Sequence, residues 1–249
     1  MQHTLRNIRF GVASTVIVAI FALAVSAASA AEHPARSATL GITVDPIAGE
    51  HVEPGGTTRF DGTPLLTIEG SARLGHLEVF AEGLPPVAPI TSSGKLGSLS
   101  TTLSFVFSSA RFYLDGQHVS LGLGETLYHQ VTLRSPSSER DTSNLTGLRY
   151  ELRGIQQYGR HQLSLAVEAT PVMRGGVRVE FARQVQFDGE QASQMELRLR
   201  DDWRAGSHVD VVLGVRYINF AAAYVSDGSL ADRNKGVALT VGLLGRIGR

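Results

Sequence analysis

The 249-residue sequence contains no cysteine and only two lysines, Lys95 and Lys235. Without cysteine the chain has no disulfide, no cysteine-ligated zinc site and no thiol nucleophile. Basic and acidic residues number 23 each, so the net charge is zero and the positive charge is almost entirely arginine. A neutral chain does not attract a polyphosphate, which argues against nucleic-acid binding. Aromatic residues are scarce at 7%, but 43% hydrophobic content argues against disorder.

The first 30 residues have the pattern of a secretory signal peptide. Arg6 and Arg9 give a positive start, Gly11–Val25 is apolar and uncharged, and Ala28-Ser29-Ala30 supplies small residues for cleavage. A transmembrane anchor would need about 20 apolar residues, which is more than this run contains. We therefore predict a signal peptide at 1–30 and one exported domain at 31–249, with 21 basic and 23 acidic residues and a net charge of −2.

From Ala38 onward, hydrophobic residues alternate with polar ones, which is the pattern of β-strands. We find no amphipathic helix. Ten segments show the alternation: 40–44, 66–73, 77–82, 99–107, 119–124, 147–153, 162–168, 194–200, 209–217 and 237–243. Because the first is short and 171–191 could hold another hairpin arm, we expect between eight and twelve strands.

Short and long connections between these segments alternate along the whole chain. The short ones are 73–75, 114–117, 156–160 and 203–207. The long ones are 45–63, 83–97, 131–144, 171–191 and 221–235. In an up-and-down meander, alternate connections lie at the same end, so one end carries tight turns and the other carries every long loop. An even strand count places both termini at the tight-turn end.

A weak repeat accompanies the short turns. A glycine followed within two residues by histidine recurs at Gly75-His76, Gly116-Gln117-His118, Gly159-Arg160-His161 and Gly206-Ser207-His208. The glycines are 41, 43 and 47 residues apart, which is one hairpin plus one long loop. Glycine supplies the positive φ that tight hairpin turns need.

One face of each segment is aliphatic and the other carries the charges. A charge that faces lipid at mid-membrane costs about 2–4 kcal/mol, so we predict that the charges point inward and pair across strands. The predicted structural lumen network is Glu69, Glu78, Glu82, Arg149, Glu151, Arg153, Glu168, Glu196, Arg198, Arg200, Asp210 and Arg216. By the same alternation, Phe105 and Phe107 face lipid. Arg111 and Glu125 also fall on the lipid side and do not fit the rule, unless a bulge or the outer interface accommodates Glu125 and snorkelling near the periplasmic end accommodates Arg111.

In these features 38–249 resembles the small outer-membrane β-barrels of Gram-negative bacteria, at the level of architecture only. The resemblance implies an all-β, up-and-down antiparallel transmembrane barrel, surrounded by outer-membrane lipid and inserted by the outer-membrane assembly machinery. The chain departs from that class by ending in Arg249 rather than in an aromatic residue. We expect a structural or surface-interaction role through the long loops, with a narrow pore as the subsidiary function and no cofactor.

Three groups of residues suggest chemistry, but each has a simpler interpretation. The four turn histidines lie on alternate strands, about 9–10 Å apart, which is too far to share a zinc ion. The carboxylate pairs Glu78/Glu82 and Glu151/Glu168 match acid–base catalysis, but arginines accompany them in similar numbers. The loop Asp227–Asp232 offers oxygen ligands for calcium without the terminal glutamate of a hand loop. We predict no catalytic and no metal-binding residue.

His118 and Ser120 resemble the His-x-Ser of the lipid A deacylases, which are outer-membrane barrel enzymes. The pair lies beside a short turn, whereas such an enzyme meets its lipid at the opposite end, and no third partner is identifiable. A barrel enzyme acting on envelope lipid is therefore the weaker alternative. A soluble periplasmic barrel that binds an apolar ligand is the other alternative, because alternation is unchanged when the two faces are exchanged. The scarcity of lysine and the unequal loops favour the membrane version.

Overall fold

The computed structural model describes residues 36–53, 56–84, 90–94, 97–114, 118–135, 139–180, 184–224 and 231–247. The predicted signal peptide and the possible calcium loop around Asp227 lie outside these ranges. Nearly every described residue belongs to a β-strand. Within the described ranges, no helix has the length and apolar character needed to cross a membrane.

The strands pair with their sequence neighbours, and the first pairs with the last, so the sheet closes into a barrel. They are β1 (Arg36–Glu53), β2 (Gly56–Leu74), β3 (Leu77–Leu84), β4 (Ile90–Gly94), β5 (Gly97–Leu114), β6 (Val119–Ser135), β7 (Glu139–Tyr158), β8 (His161–Glu180), β9 (Gln184–Arg204), β10 (Val209–Tyr224) and β11 (Ala231–Ile247). Short strands β3 and β4 both lie between β2 and β5, so they share one position. The barrel therefore has ten positions, and each of the ten predicted segments lies in a strand.

The strands are much longer than predicted. Most of the expected long loop at 171–191 belongs to a continuous hairpin, because β8 reaches Glu180 and β9 begins at Gln184. The other expected long loops are shortened in the same way. A strand of 20 residues is about 65 Å long and, when tilted, rises about 50 Å, whereas the apolar band of an outer-membrane barrel is about 25 Å tall. Roughly half of each long strand therefore extends beyond that band.

The tight turns lie at the end of the barrel where β1 begins and β11 ends, which we call the turn end; the opposite end is the loop end. Gly75 and Gly159 sit in two of these turns with φ of 60° and 58°, as the turn pattern predicted, whereas Gly206 does not adopt a positive φ. In the same turn region, the backbone N–H of Tyr113 donates to the carbonyl of His76 at 2.8 Å. Equivalent bonds link Ile155 to His118 and Arg246 to His208, both at 2.7 Å.

Aliphatic side chains cover the outer face nearest the turn end, which we call the belt. Leu165, Leu213 and Val241 are about half exposed there, at 50%, 49% and 52%. Charged side chains occupy the opposite face: Glu196 and Arg216 are 1% and 4% exposed. The aliphatic face therefore points outward and the charged face points into the barrel.

The prediction was wrong for β5. Phe105 and Phe107 are buried inside the barrel and stack at 4.2 Å between ring centroids, instead of facing lipid. Arg111 has the same parity and is also buried inside, with its Nε 2.8 Å from Glu151. The error arose because the hydrophobic face of the whole strand was expected to point outward. The barrel interior near Phe105 is itself apolar, so the hydrophobic face of β5 points inward.

Candidate functional site

The barrel interior contains nearly all of the buried charge and is the candidate site. A layer of ion pairs crosses it at the level of Glu82 and Glu196. Arg198 and Arg216 each contact both of these carboxylates, at 2.7 to 2.9 Å. Glu82 is on β3 and Arg198 is on β9, five positions away in a ring of ten, so this pair spans the lumen.

Further pairs extend this layer toward the turn end. Arg200 lies 2.6 Å from Glu69 on the far side of the barrel and 2.6 Å from Asp202. The guanidinium of Arg111 lies 2.8 Å from the Glu151 carboxylate and 3.7 Å from the Glu78 carboxylate, so it bridges the two.

The remaining predicted residues also lie on the inner face. Arg149 bonds Glu168, and Arg246 bonds Asp210. Arg153 donates to Ser164 Oγ at 3.3 Å and pairs with no carboxylate within 4.0 Å among the described residues. All twelve predicted residues thus lie inside. We call them, together with Asp45, Arg111, Asp202 and Arg246, the charged layer.

Aromatic rings support several of these arginines. The guanidinium of Arg149 lies 4.1 Å from the Phe107 ring centroid, and that of Arg111 lies 3.8 Å from the Phe80 centroid. Cation–π contacts in a desolvated interior contribute up to about 2 kcal/mol each. The rings therefore hold the guanidinium groups in place where little water can solvate them.

An apolar layer fills the lumen between the charged layer and the loop end. Tyr128 and Phe220 stack at 4.8 Å, and Met173 is fully buried beside them. The layer consists of Ile47, Phe60, Leu65, Leu84, Leu103, Phe105, Phe107, Tyr128, Leu145, Met173, Ala192, Ile218, Phe220 and Ala238. Two successive layers of side chains therefore close the described part of the lumen.

A cavity of about 220 Å³ remains at the turn end. Its walls include Glu78, Arg111 and Glu151 of the charged layer and the turn residues Gly159 and Arg160. The cavity therefore reaches from the turn end to the charged layer.

Asp45 is a member of the charged layer that the sequence analysis missed, because it lies in the predicted long loop 45–63 and the structure places it in β1. Its carboxylate accepts hydrogen bonds from Thr43, Thr67 and Thr240 and lies 3.5 Å from Arg216. Apart from Thr43 on its own strand, its partners come from β2, β10 and β11, so a local pattern could not have identified this residue.

The turn histidines have individual structural partners. The Nδ1 atoms of His76 and His118 lie 3.1 and 3.3 Å from the carbonyls of Tyr113 and Ile155 on neighbouring strands. His161 Nδ1 instead lies 2.8 Å from Asp201. Within the described ranges, no three histidine, aspartate or glutamate residues group as metal ligands would. Contacts with the neighbouring strand at the turns account for His76 and His118 of the glycine–histidine repeat.

The structure does not assemble the His118/Ser120 pair. Ser120 is fully buried, whereas His118 is exposed and turns toward Ile155. No hydrogen bond joins the two side chains in the described structure. A buried hydroxyl without a neighbouring base lacks the geometry of an activated nucleophile.

The fold matches solved outer-membrane proteins despite low sequence identity. The outer membrane protease OmpT from Escherichia coli is 10% identical, with a TM-score of 0.57 over 84% of this chain and 96% of that one. The translocator domain of autotransporter NalP from Neisseria meningitidis is 13% identical, with a TM-score of 0.44 over 95% and 97%. No protein-family model and no curated protein matches the chain. The chain thus has the fold of the small outer-membrane β-barrels, at the level of architecture.

Proposed function

We propose that this protein is an outer-membrane barrel with a structural or surface-interaction role. The observation that carries the proposal is the closed interior. The ion pairs Glu82–Arg198 and Glu69–Arg200 cross the lumen, and the apolar layer fills it between these pairs and the loop end. An interior of this kind supports a rigid scaffold rather than an open channel. The strands beyond the belt then present long hairpins outside the cell, where surface contacts are made.

The belt supports membrane residence. More than 20 large aliphatic and aromatic side chains with exposed fractions near one half form a continuous outer surface. Soluble monomers rarely expose apolar patches above a few hundred Å², so this surface fits lipid far better than water. The orientation of the two faces also weighs against the soluble alternative, whose aliphatic faces would line the interior. Outer-membrane lipid and the assembly machinery are the partners we propose; the surface ligand is not specified by any residue.

A narrow pore and an enzyme are weaker proposals. A pore requires Arg198 and Arg216 to leave both of their carboxylates, and stranding a buried charge costs about 3–5 kcal/mol. An envelope-lipid enzyme requires Ser120 to become accessible. We therefore expect neither steady conductance nor hydrolysis, and planar-bilayer recordings of purified protein test the first. Reproducible conductance steps would replace the structural role with a pore.

The lack of cysteine allows a direct test of location and orientation. Ser135 and Ser207 are both exposed, at the loop end and the turn end respectively. We expect a large, membrane-impermeant maleimide to label Ser135→Cys in intact cells, and Ser207→Cys only after the outer membrane is permeabilised. Labelling of neither variant before permeabilisation and of both afterwards would indicate a soluble periplasmic protein. Labelling of Ser207→Cys alone in intact cells would reverse the orientation.

A further inference from the structure

The cavity at the turn end has more arginine than its carboxylates require. Eight arginines and six carboxylates line it. Each of the six carboxylates has an arginine within 4.0 Å: Glu69, Glu78, Glu151, Glu168, Asp202 and Asp210. These pairs are made by Arg111, Arg149, Arg198, Arg200 and Arg246, so the other arginines of the lining take no part in them.

Four of the lining arginines have no carboxylate within 4.0 Å among the described residues. They are Arg73, Arg153, Arg160 and Arg204. Arg160 and Arg204 lie at the turn-end rim and are exposed, whereas Arg73 and Arg153 are half-buried inside the mouth. The charges of Glu78 and Glu151 attract Arg153, but both carboxylates pair with Arg111, and the lining as a whole holds two more arginines than carboxylates.

Arg73 and Arg153 are held in position while keeping free donors. Arg73 Nε donates to the Gly75 carbonyl at 2.9 Å, and its guanidinium lies 3.7 Å from the Tyr113 ring centroid. Arg153 makes one hydrogen bond, to Ser164. Since a guanidinium has five N–H donors, both side chains retain several for a ligand.

The positions of the two arginines define a site rather than a charged surface. Arg73 is on β2 and Arg153 is on β7, four positions apart around the barrel, and Tyr113 on β5 lies midway. A ligand in the cavity of about 220 Å³ would thus have an arginine on either side. Arginine matches the planar geometry of carboxylates and phosphates by paired N–H bonds.

We propose that this cavity binds an oxyanionic solute, carrying phosphate or carboxylate groups, with Arg73 and Arg153 as its principal ligands. Access from the periplasm follows from the orientation in the proposed function, but binding itself does not depend on it. The labelling experiment tests the orientation, and binding to the purified full-length chain in uncharged detergent tests the site. Failure of one is therefore distinguishable from failure of the other.

Calorimetric titration with pyrophosphate, citrate and neutral sucrose tests the proposal. We expect the wild-type chain to bind pyrophosphate or citrate at about 1 mM or tighter, with affinity falling as salt rises, and not to bind sucrose. Stronger binding of pyrophosphate assigns the site to phosphate, and stronger binding of citrate assigns it to carboxylates. No binding of either anion would overturn the proposal.

Variants separate a site from general charge. Arg153→Gln should weaken anion binding about tenfold or more, because a charge-assisted bond is lost. Arg174→Gln removes the same charge from the exposed outer face and should leave affinity unchanged. If Arg153→Gln does not fold, as judged by heat-modifiable migration, Arg73→Gln serves instead, since its side chain contacts only a turn carbonyl and an aromatic ring. Equal affinity in the arginine variant and the control would overturn the site.

Discussion

The turn half and the loop half of the barrel have opposite polarity. On β10 near the turn end, Leu213 and Val215 face outward and Arg216 faces inward. Further along the same strand, Asn219 is on the outer face and Phe220 is buried inside. The same exchange occurs on β8, where Leu165 gives way to Arg174 outside, and Glu168 gives way to Met173 inside.

A change of medium along one strand explains the exchange. Where lipid surrounds the barrel, aliphatic groups are favoured outside, and the polar groups must satisfy one another inside. Beyond the belt, water surrounds the barrel, so the interior becomes the only place where apolar side chains escape it. The loop half is thus built like a soluble barrel and the turn half like a membrane one.

The largest expected effect comes from breaking the charged layer. Arg216→Met removes a cation that lies 2.7 Å from both Glu82 and Glu196, and leaves these carboxylates with Arg198 alone. We expect a loss of about 3–5 kcal/mol in the free energy of unfolding, measured by urea denaturation in lipid vesicles.

Arg174→Gln is the control for this variant, since it removes an exposed arginine from the outer face of the loop half. Its effect should stay within about 0.5 kcal/mol. A loss below about 1 kcal/mol for Arg216→Met would mean that the charged layer contributes no more than surface ion pairs do.

The second expected effect locates the belt. Leu165 is half exposed on the turn half of β8, and Ser193 lies on the outer face of the loop half of adjacent β9. Leu165→Arg places a charge against lipid and should lower the free energy of unfolding by about 2–4 kcal/mol, whereas Ser193→Arg should change it by less than 1 kcal/mol. Equal effects in the same vesicle assay would contradict the division into two media.

The same division explains how much could be predicted from sequence. Within the belt, alternation alone identified the inner face correctly for residues such as Glu69, Glu196 and Arg216, because only one face tolerates charge. It failed on β5, where Phe105 and Phe107 lie in the apolar layer and hydrophobicity marks the interior instead. Arg111 was placed toward lipid with them because it lies on the same face of that strand. A single parity rule cannot hold along a strand that crosses from one medium to the other.

Ion-pair partners were beyond sequence reasoning for a different reason. Glu82 and Arg198 are more than 100 residues apart and meet only because the barrel closes, with its shear setting which levels face each other. The pairing of Arg246 with Asp210 is between neighbouring strands, yet it also depends on register. The alternation of hydrophobic and polar residues shows which face of a strand a residue lies on. Its ion-pair partner depends on how the barrel closes and how its strands are staggered.

The third expected effect tests the apolar layer. Phe220→Leu keeps an apolar side chain but loses the ring stack with Tyr128, which lies at 4.8 Å. The lost stacking and small volume change should lower the free energy of unfolding by about 1–2 kcal/mol. Ala221→Ser, on the outer face of the same strand, is the matched control and should have little effect. A destabilisation as large as that of Arg216→Met would indicate that the loop half, not the charged layer, dominates stability.

The smallest expected effect concerns Glu125, the carboxylate predicted to face lipid. It is exposed on the outer face, and the Thr146 hydroxyl donates a hydrogen bond to its carboxylate at 2.8 Å. Thr146 in turn lies opposite Arg174 in the register of β7 and β8. These polar neighbours place Glu125 where the outer face changes from apolar to polar. Glu125→Gln keeps an acceptor for Thr146 and removes only the charge, so the free energy of unfolding should change by less than about 0.5 kcal/mol. Stabilisation by about 2 kcal/mol would instead mean that the carboxylate lies within hydrocarbon. The boundary between lipid and water would then be closer to the loop end on β6 than on β8 and β10.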